Sequence, residues 1–233
     1  THGSFSAELH LIPLQIRVFN SAHLPLLCSQ TKPMIINIAL LLLAALGLIY
    51  LCAVIYAASF ADRMIFPHVP SSYVDGPETF KIEASDGTVI TATYLEAPAS
   101  QHLILYSHGN GVDIGMLRHY LEVFQAAGIS ALAYDYPGYG TSSGKASEAG
   151  TYAAADAVYT YATQTLNFAP EQITLYGRSL GSGPSCWLAE RYPIDRLILD
   201  GAFTSTFRVV TGITILPWDK FDNLRRLRTT ITC

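Results

Sequence analysis

Between Ile173 and Ser185 the chain reads ITLYGRSLGSGPS, which places Ser179 inside Gly177-Arg178-Ser179-Leu180-Gly181, after an apolar strand-like run and before a helix-like one. A serine hydroxyl raised on a sharp strand-to-helix turn can attack an acyl carbon as a nucleophile. By itself the G-x-S-x-G pattern is weak, since glycine and serine at ordinary abundance would produce it by accident in a chain this long roughly one time in twelve. Its setting adds weight. A tight turn needs small residues on either side, where the backbone comes close to its neighbours. Gly181, Ser182 and Gly183 would let the following helix lie against the sheet, and a helix N-terminus favours negative charge forming nearby.

Acyl transfer also needs N–H donors aimed at the oxyanion of the tetrahedral intermediate. The N–H of Leu180, directly after the serine, is one candidate. The second is expected from Ser107-His108-Gly109-Asn110-Gly111, with Asn110 first and Gly111 as runner-up. His108 itself is expected to pack and fix this loop. A third run, Asp135 to Gly144 (DYPGYGTSSG), fails as a phosphate loop because Ser143 stands where G-x-G-x-x-G needs glycine. It reads instead as a structural loop at the C-terminal edge of a sheet.

The elements that would carry these loops can be read from their periodicity. TFKIEA and TVITATYLEA flank Ser85-Asp86-Gly87 and predict an antiparallel hairpin. HLILYS, ISALAYDY, QITLYG and DRLILDG read as buried strands. A helix with Ile114, Leu117, Leu121 and Phe124 on one face follows the first of these four. After the second comes a helix capped by Ser147, with Glu148 in its first turn and Ala155, Val158, Ala162 and Leu166 facing inward. Alternating βα units with apolar strands imply an α/β fold, a mostly parallel sheet with helices on both faces.

Only 14% of the 233 residues are charged, against roughly 25% in ordinary soluble domains. The deficit is local: from Pro33 to Ala61 there is no charged residue. Met34 to Phe60, as a helix, would rise about 40 Å, enough to cross a bilayer core of about 30 Å with some tilt. The run is too long for a signal peptide and lacks the basic segment before it, so it reads as an uncleaved single-pass membrane anchor. Arg17 and Lys32 ahead of it and Arg63 behind leave its orientation open. The division expected is an unstructured or spurious extension at 1–33 with Met34 as the start, an anchor at 34–60, a proline-rich connector at 61–79 and a partial catalytic domain at 80–233. Cys28, Cys52, Cys186 and Cys233 have no metal-site or CxxC spacing, and Cys186 reads as core packing. No cofactor motif is seen, and a net charge of −4 without a basic cluster argues against nucleic acid.

His-Gly-Asn-Gly, Asp-Tyr-Pro-Gly-Tyr-Gly-Thr-Ser-Ser-Gly and Gly-Arg-Ser-Leu-Gly-Ser-Gly, in that order on successive strand ends, resemble the α/β-hydrolase superfamily. With an anchor ahead of the domain, the chain is similar to membrane-tethered serine hydrolases of the "alpha/beta hydrolase domain-containing" group, which include depalmitoylating thioesterases. The resemblance covers about Tyr73 to Cys233. Pro137 stands where many relatives have arginine, a change expected to alter loop rigidity more than chemistry. The resemblance implies a small-molecule or lipid-like acyl substrate, cleaved at an ester or thioester bond. It also implies a triad in the order serine, acid, histidine.

All seven histidines precede Ser179. The acid and base are therefore expected from a C-terminal segment that the sequence lacks, so that this fragment alone would be inactive. Asp200, at the end of RLILD, is an alternative acid. His119 could serve only by reaching across the top of the sheet. The alternative function is a non-catalytic, membrane-anchored binding or scaffold protein of the same fold. Oligomeric state is not legible.

Overall fold

The computed structural model describes residues 24–212 and 218–230. The extension expected at 1–33 lies outside them over 1–23, as does Cys233. By contacts the chain divides into two units, Thr1–Ala53 and Val54–Cys233.

Helix α1 runs from Leu24 to Ile65 with Pro33 inside it. Its stretch Lys32–Ile65, 34 residues, is long and apolar enough to cross a membrane by length and composition. The helix is longer than the span read at 34–60, and its stop has a local cause. Phe66 N–H closes the last turn on the Asp62 carbonyl at 2.8 Å, and Pro67 follows, disfavouring helical geometry at the residue before it.

The end of α1 and the residue after it pack into the second unit. Ala61, Ile65 and Phe66 are buried in the core of the second unit, with Phe66 edge-on to Tyr139 and Phe221 at centroid distances of 6.4 and 6.1 Å. The proline-rich run that follows is tied down by Ser72 and Tyr73. Prolines and short polar residues suited a linker, but these two residues make long-range bonds that local composition does not reveal.

The sheet has six strands: β1 (Thr79–Glu83), β2 (Val89–Leu95), β3 (Leu103–Ser107), β4 (Ser130–Tyr134), β5 (Ile173–Arg178) and β6 (Arg196–Asp200). Their order is β1-β2-β4-β3-β5-β6. The first two form the hairpin predicted around Asp86-Gly87, and β2 pairs antiparallel with β4; all remaining pairs are parallel. Alternate strand residues feed two cores. Helix α2 (Ile114–Ala126) covers one face, placing Ile114, Leu117 and Leu121 on Ile104, Tyr106, Ala131 and Ala133. Helices α3 (Glu148–Gln164) and α4 (Ser182–Arg191) cover the other, over Leu103, Leu105, Leu132 and Leu175.

Ser147 caps α3 as its position suggested, its side chain accepting the Gly150 N–H at 3.0 Å. Two short helices, α5 (Thr206–Thr211) and α6 (Asn223–Thr230), complete the described residues. Strand β6 has no outer partner among them and leaves Ile198 40% exposed, the open edge that an α/β sheet normally extends or covers.

Candidate active site

The motif serine sits where strand chemistry gives way to helix. β5 ends at Arg178, Ser179–Gly181 form a single 3-10 turn, and α4 begins at Ser182. Ser179 is exposed and holds φ at +49°. A left-handed backbone is uncommon outside glycine and costs about 1–3 kcal/mol, a strain that persists only where surrounding packing enforces it.

That packing is built from the bracketing glycines. A methyl at Gly177 would lie 2.6 Å from the Gly181 carbonyl oxygen and 2.7 Å from Ser185 Oγ, and one at Gly181 would lie 1.9 Å from the Ser107 carbonyl oxygen. Gly183 meets the ring of Phe221 at 2.1 Å in the same sense. The small residues thus let α4 rest on β3 and β5 at backbone contact. Below the turn, Ser182 Oγ donates to the Ser179 carbonyl at 2.7 Å, and Asn223 Nδ2 donates to Ser182 Oγ at 3.0 Å. Sequence reading missed Asn223, which lies 44 residues downstream in a polar run with no apolar periodicity.

The His-Gly-Asn-Gly loop lies beside the turn, since a methyl at Gly109 would stand 3.6 Å from both Arg178 O and Ser179 Cβ. Gly109 is therefore a neighbour of the serine in the fold, with Asn110 and Gly111 following it along the loop. Leu180 is buried and opens a helix, where the first N–H groups have no intrahelical acceptor. Asn110 is exposed, and its side-chain amide donates to the Ile65 carbonyl at 2.7 Å. Gly111 takes φ +73°, a conformation suited to glycine.

His108 is fully buried. Its Nδ1 is 2.8 Å from the Gly109 carbonyl oxygen, its ring packs on Tyr136 and Tyr139 at 4.1 and 5.5 Å between centroids, and Nε2 is 3.5 Å from Asp135 Oδ1. These contacts hold the loop from inside. Asp135, also fully buried, accepts the Ile114 N–H at 2.9 Å on Oδ1 and the Tyr73 hydroxyl at 2.6 Å on Oδ2. The loop read only as structural thus anchors both the start of α2 and the strap that follows α1.

Other charged groups near the turn are already engaged. Asp200 is exposed, lies 3.7 Å from Arg178 Nε and accepts the Tyr176 hydroxyl at 3.2 Å. His119 is exposed on α2 beside Tyr120, whose ring lies 5.4 Å from the Arg178 guanidinium carbon. Among the described residues no histidine hydrogen-bonds Ser179, and no group of three or more His, Cys, Asp or Glu gathers as metal ligands. Cys186 is fully buried within α4, and burial pushes its thiol up to about 12.

The family model described as serine aminopeptidase, S33 matches residues 98–220, more than half of the chain. The chain is 35% identical over 157 residues to alpha/beta hydrolase domain-containing protein 17B of Xenopus laevis, covering 66% of this chain and 54% of that protein. It is 34% identical over 157 residues to the human protein of the same name, with the same coverage. The chain therefore spans about half the length of the curated relatives it matches. A crystal structure of an alpha-beta hydrolase from Vibrio vulnificus superposes with a TM-score of 0.54 at 21% identity, over 66% of this chain and 61% of that one. A Pyrococcus furiosus esterase also superposes at 0.54, with 16% identity, over 63% and 60%. A mostly parallel sheet with a serine turn after β5, matched along most of its length by one family, makes this chain a member of the α/β-hydrolase superfamily.

Proposed function

We propose that the chain carries the nucleophile and oxyanion half of a serine hydrolase that cleaves ester or thioester acyl bonds through an acyl-enzyme on Ser179. The observation that carries this reading is an exposed serine held at φ +49° on a glycine-packed turn. Strain of that kind, enforced by neighbours, is what a nucleophile elbow requires and what a merely structural serine has no need of. In this reading Ser179 Oγ attacks the acyl carbon. The base takes the Ser179 proton, and the N–H groups of Leu180 and Asn110 receive the developing alkoxide. The tetrahedral intermediate collapses to expel the leaving group with that proton, and water then hydrolyses the acyl-enzyme that remains.

The base and acid are supplied from the part of the relatives' length that the match does not cover, in the order serine, acid, histidine. Two observations favour this over a local base: His108 is fully buried against Tyr136 and Tyr139, and Asp200 is engaged by Arg178 and Tyr176. Helix α1 serves as a single-pass membrane anchor in the same proposal, supported by its exposed apolar surface from Met34 to Ile55. The substrate is a small or lipid-like acyl compound.

The test is an acyl-enzyme trap. Full-length protein mixed with an acyl thioester and quenched in acid should carry the acyl mass on the peptide containing Ser179. Absence of that adduct, with thioester turnover unaffected in Ser179→Ala, would refute the assignment. Absence of both adduct and turnover in folded full-length protein would favour a non-catalytic binding role.

A further inference from the structure

The end of α1 and the strap that follows it touch the candidate oxyanion loop, or the aspartate behind it, at three points. Asn110 Nδ2 donates to the Ile65 carbonyl at 2.7 Å. Ser72 N–H donates to Asp113 Oδ2 at 2.6 Å, and the Ser72 hydroxyl donates to Asp113 Oδ1. Asp113 is in turn the N-cap of α2, accepting the Met116 N–H. Finally, Tyr73 Oη donates to Asp135 Oδ2 at 2.6 Å, while Asp135 Oδ1 accepts the Ile114 N–H at 2.9 Å and faces His108 Nε2 at 3.5 Å.

We propose that Tyr73 is a positioning residue for the candidate oxyanion loop, holding Gly109–Asp113 through Asp135 so that the segment joining α1 to the sheet sets the geometry of the site. The inference rests on reading Ser179 and this loop as a hydrolase site.

Physical chemistry favours a fixed rather than incidental bond. Asp135 is fully buried, and a buried carboxylate left short of donors is costly. Tyr73 is the one hydroxyl donor to its carboxylate among the described residues. Burial first, and the adjacent Asp135 charge second, hold the Tyr73 phenol above its ordinary range, so it remains a donor at any working pH. The phenol is itself steadied by the Thr141 N–H at 3.3 Å and Thr141 Oγ1 at 3.2 Å. Thr141 in turn contacts Lys81, whose Nζ donates to Thr141 O and Oγ1 at 3.1 and 3.0 Å and to Thr91 Oγ1 at 2.7 Å. The strap is therefore cross-linked to the hairpin, to the Asp135–Gly144 loop and to the start of α2. Losing the single hydroxyl leaves the carboxylate of Asp135 underdonated and frees it to draw away from Ile114 N–H.

The experiment is hydrogen exchange on full-length Tyr73→Phe, with Ser72→Ala as a second variant that loosens the same strap from its other end. Exchange in the peptide spanning Gly109–Gly115 should quicken by roughly 10-fold or more in Tyr73→Phe, with exchange in β5 unchanged. The same variant should lower kcat by about 10-fold with KM unchanged, because a displaced oxyanion donor weakens only transition-state binding. Loop exchange equal to wild type in both variants would overturn the proposal. A loosened loop in a protein that never forms an acyl-enzyme would sustain the positioning role and sink the hydrolase reading. An unchanged loop in a protein that does form one would do the reverse.

Discussion

Replacing Gly181 with alanine tests the close approach on which the serine turn depends. The backbone at Gly181 is ordinary, φ −61° and ψ −14°, so alanine costs nothing in backbone strain and the effect isolates sterics. Its Cβ would lie 1.9 Å from Ser107 O, 2.5 Å from Ser107 C and 2.8 Å from His108 O. Ordinary contact begins near 3.4 Å, so α4 and β3 must separate locally by about 1.5 Å. β3 cannot yield, because Ser107 is paired on both sides, to Tyr134 and to Gly177. The start of α4 must therefore rise and carry Leu180 with it. Overpacking of this severity belongs at the upper end of its usual range, about 3 kcal/mol. A 1 Å misplacement of catalytic groups costs about 100-fold in rate. Urea unfolding followed by tryptophan fluorescence should show a lower midpoint with an unchanged slope, and acyl-enzyme formation on full-length protein should slow by about 100-fold. Gly76→Ala, which meets nothing within 4 Å, is the control and should behave as wild type. A Gly181→Ala protein with wild-type midpoint and wild-type acylation would refute the reasoning.

Three other outcomes follow from the same structure. Ser147→Ala removes the cap of α3 and should cost about 1 kcal/mol, read as a lower Tm. Glu190→Gln leaves Arg226, whose side chain is 9% exposed between Tyr152 and Trp187, without its carboxylate partner; a loss of about 3 kcal/mol is expected, with α6 becoming the first site cut in limited proteolysis. Stability should fall on the alkaline side: Cys186 rises from 9.0 to about 12 and Tyr139 from 10.0 to about 12 on folding, both chiefly by burial. The unfolded chain gives up those protons first, so their stabilisation is complete below pH 9 and is lost between about pH 9 and 12, to be checked by urea midpoints across that window.

What could be read in advance was what local pattern encodes. The strands Leu103–Ser107 and Ser130–Tyr134 are buried at every position, and an unbroken apolar run is the sequence form of that state. The cap at Ser147 and the turn at Asp86-Gly87 are likewise short-range chemistry. The tight turn around Ser179 was legible because its neighbours must be small for contacts that the structure places at backbone distance. The strap was not legible, since Tyr73 and Asp135 are 62 residues apart and nothing local marks a phenol that will bond a buried carboxylate. Helix α6 was hidden for a related reason. Its inward face is made by Asn223 and Arg226, polar residues buried by hydrogen bonds and aromatic faces rather than by hydrophobicity. Helix α1 extends past the apolar run at both ends, from Leu24 to Ile65, because polar residues such as Lys32, Asp62 and Arg63 end the hydrophobicity but not the helical geometry.

The central claim is that the Ser179 hydroxyl is a nucleophile. Full-length protein treated with a fluorophosphonate and digested should yield a phosphonylated peptide containing Ser179, and Ser179→Ala, still folded, should take up no label. Uptake that persists in Ser179→Ala, or a folded wild-type protein that takes up none, would contradict it.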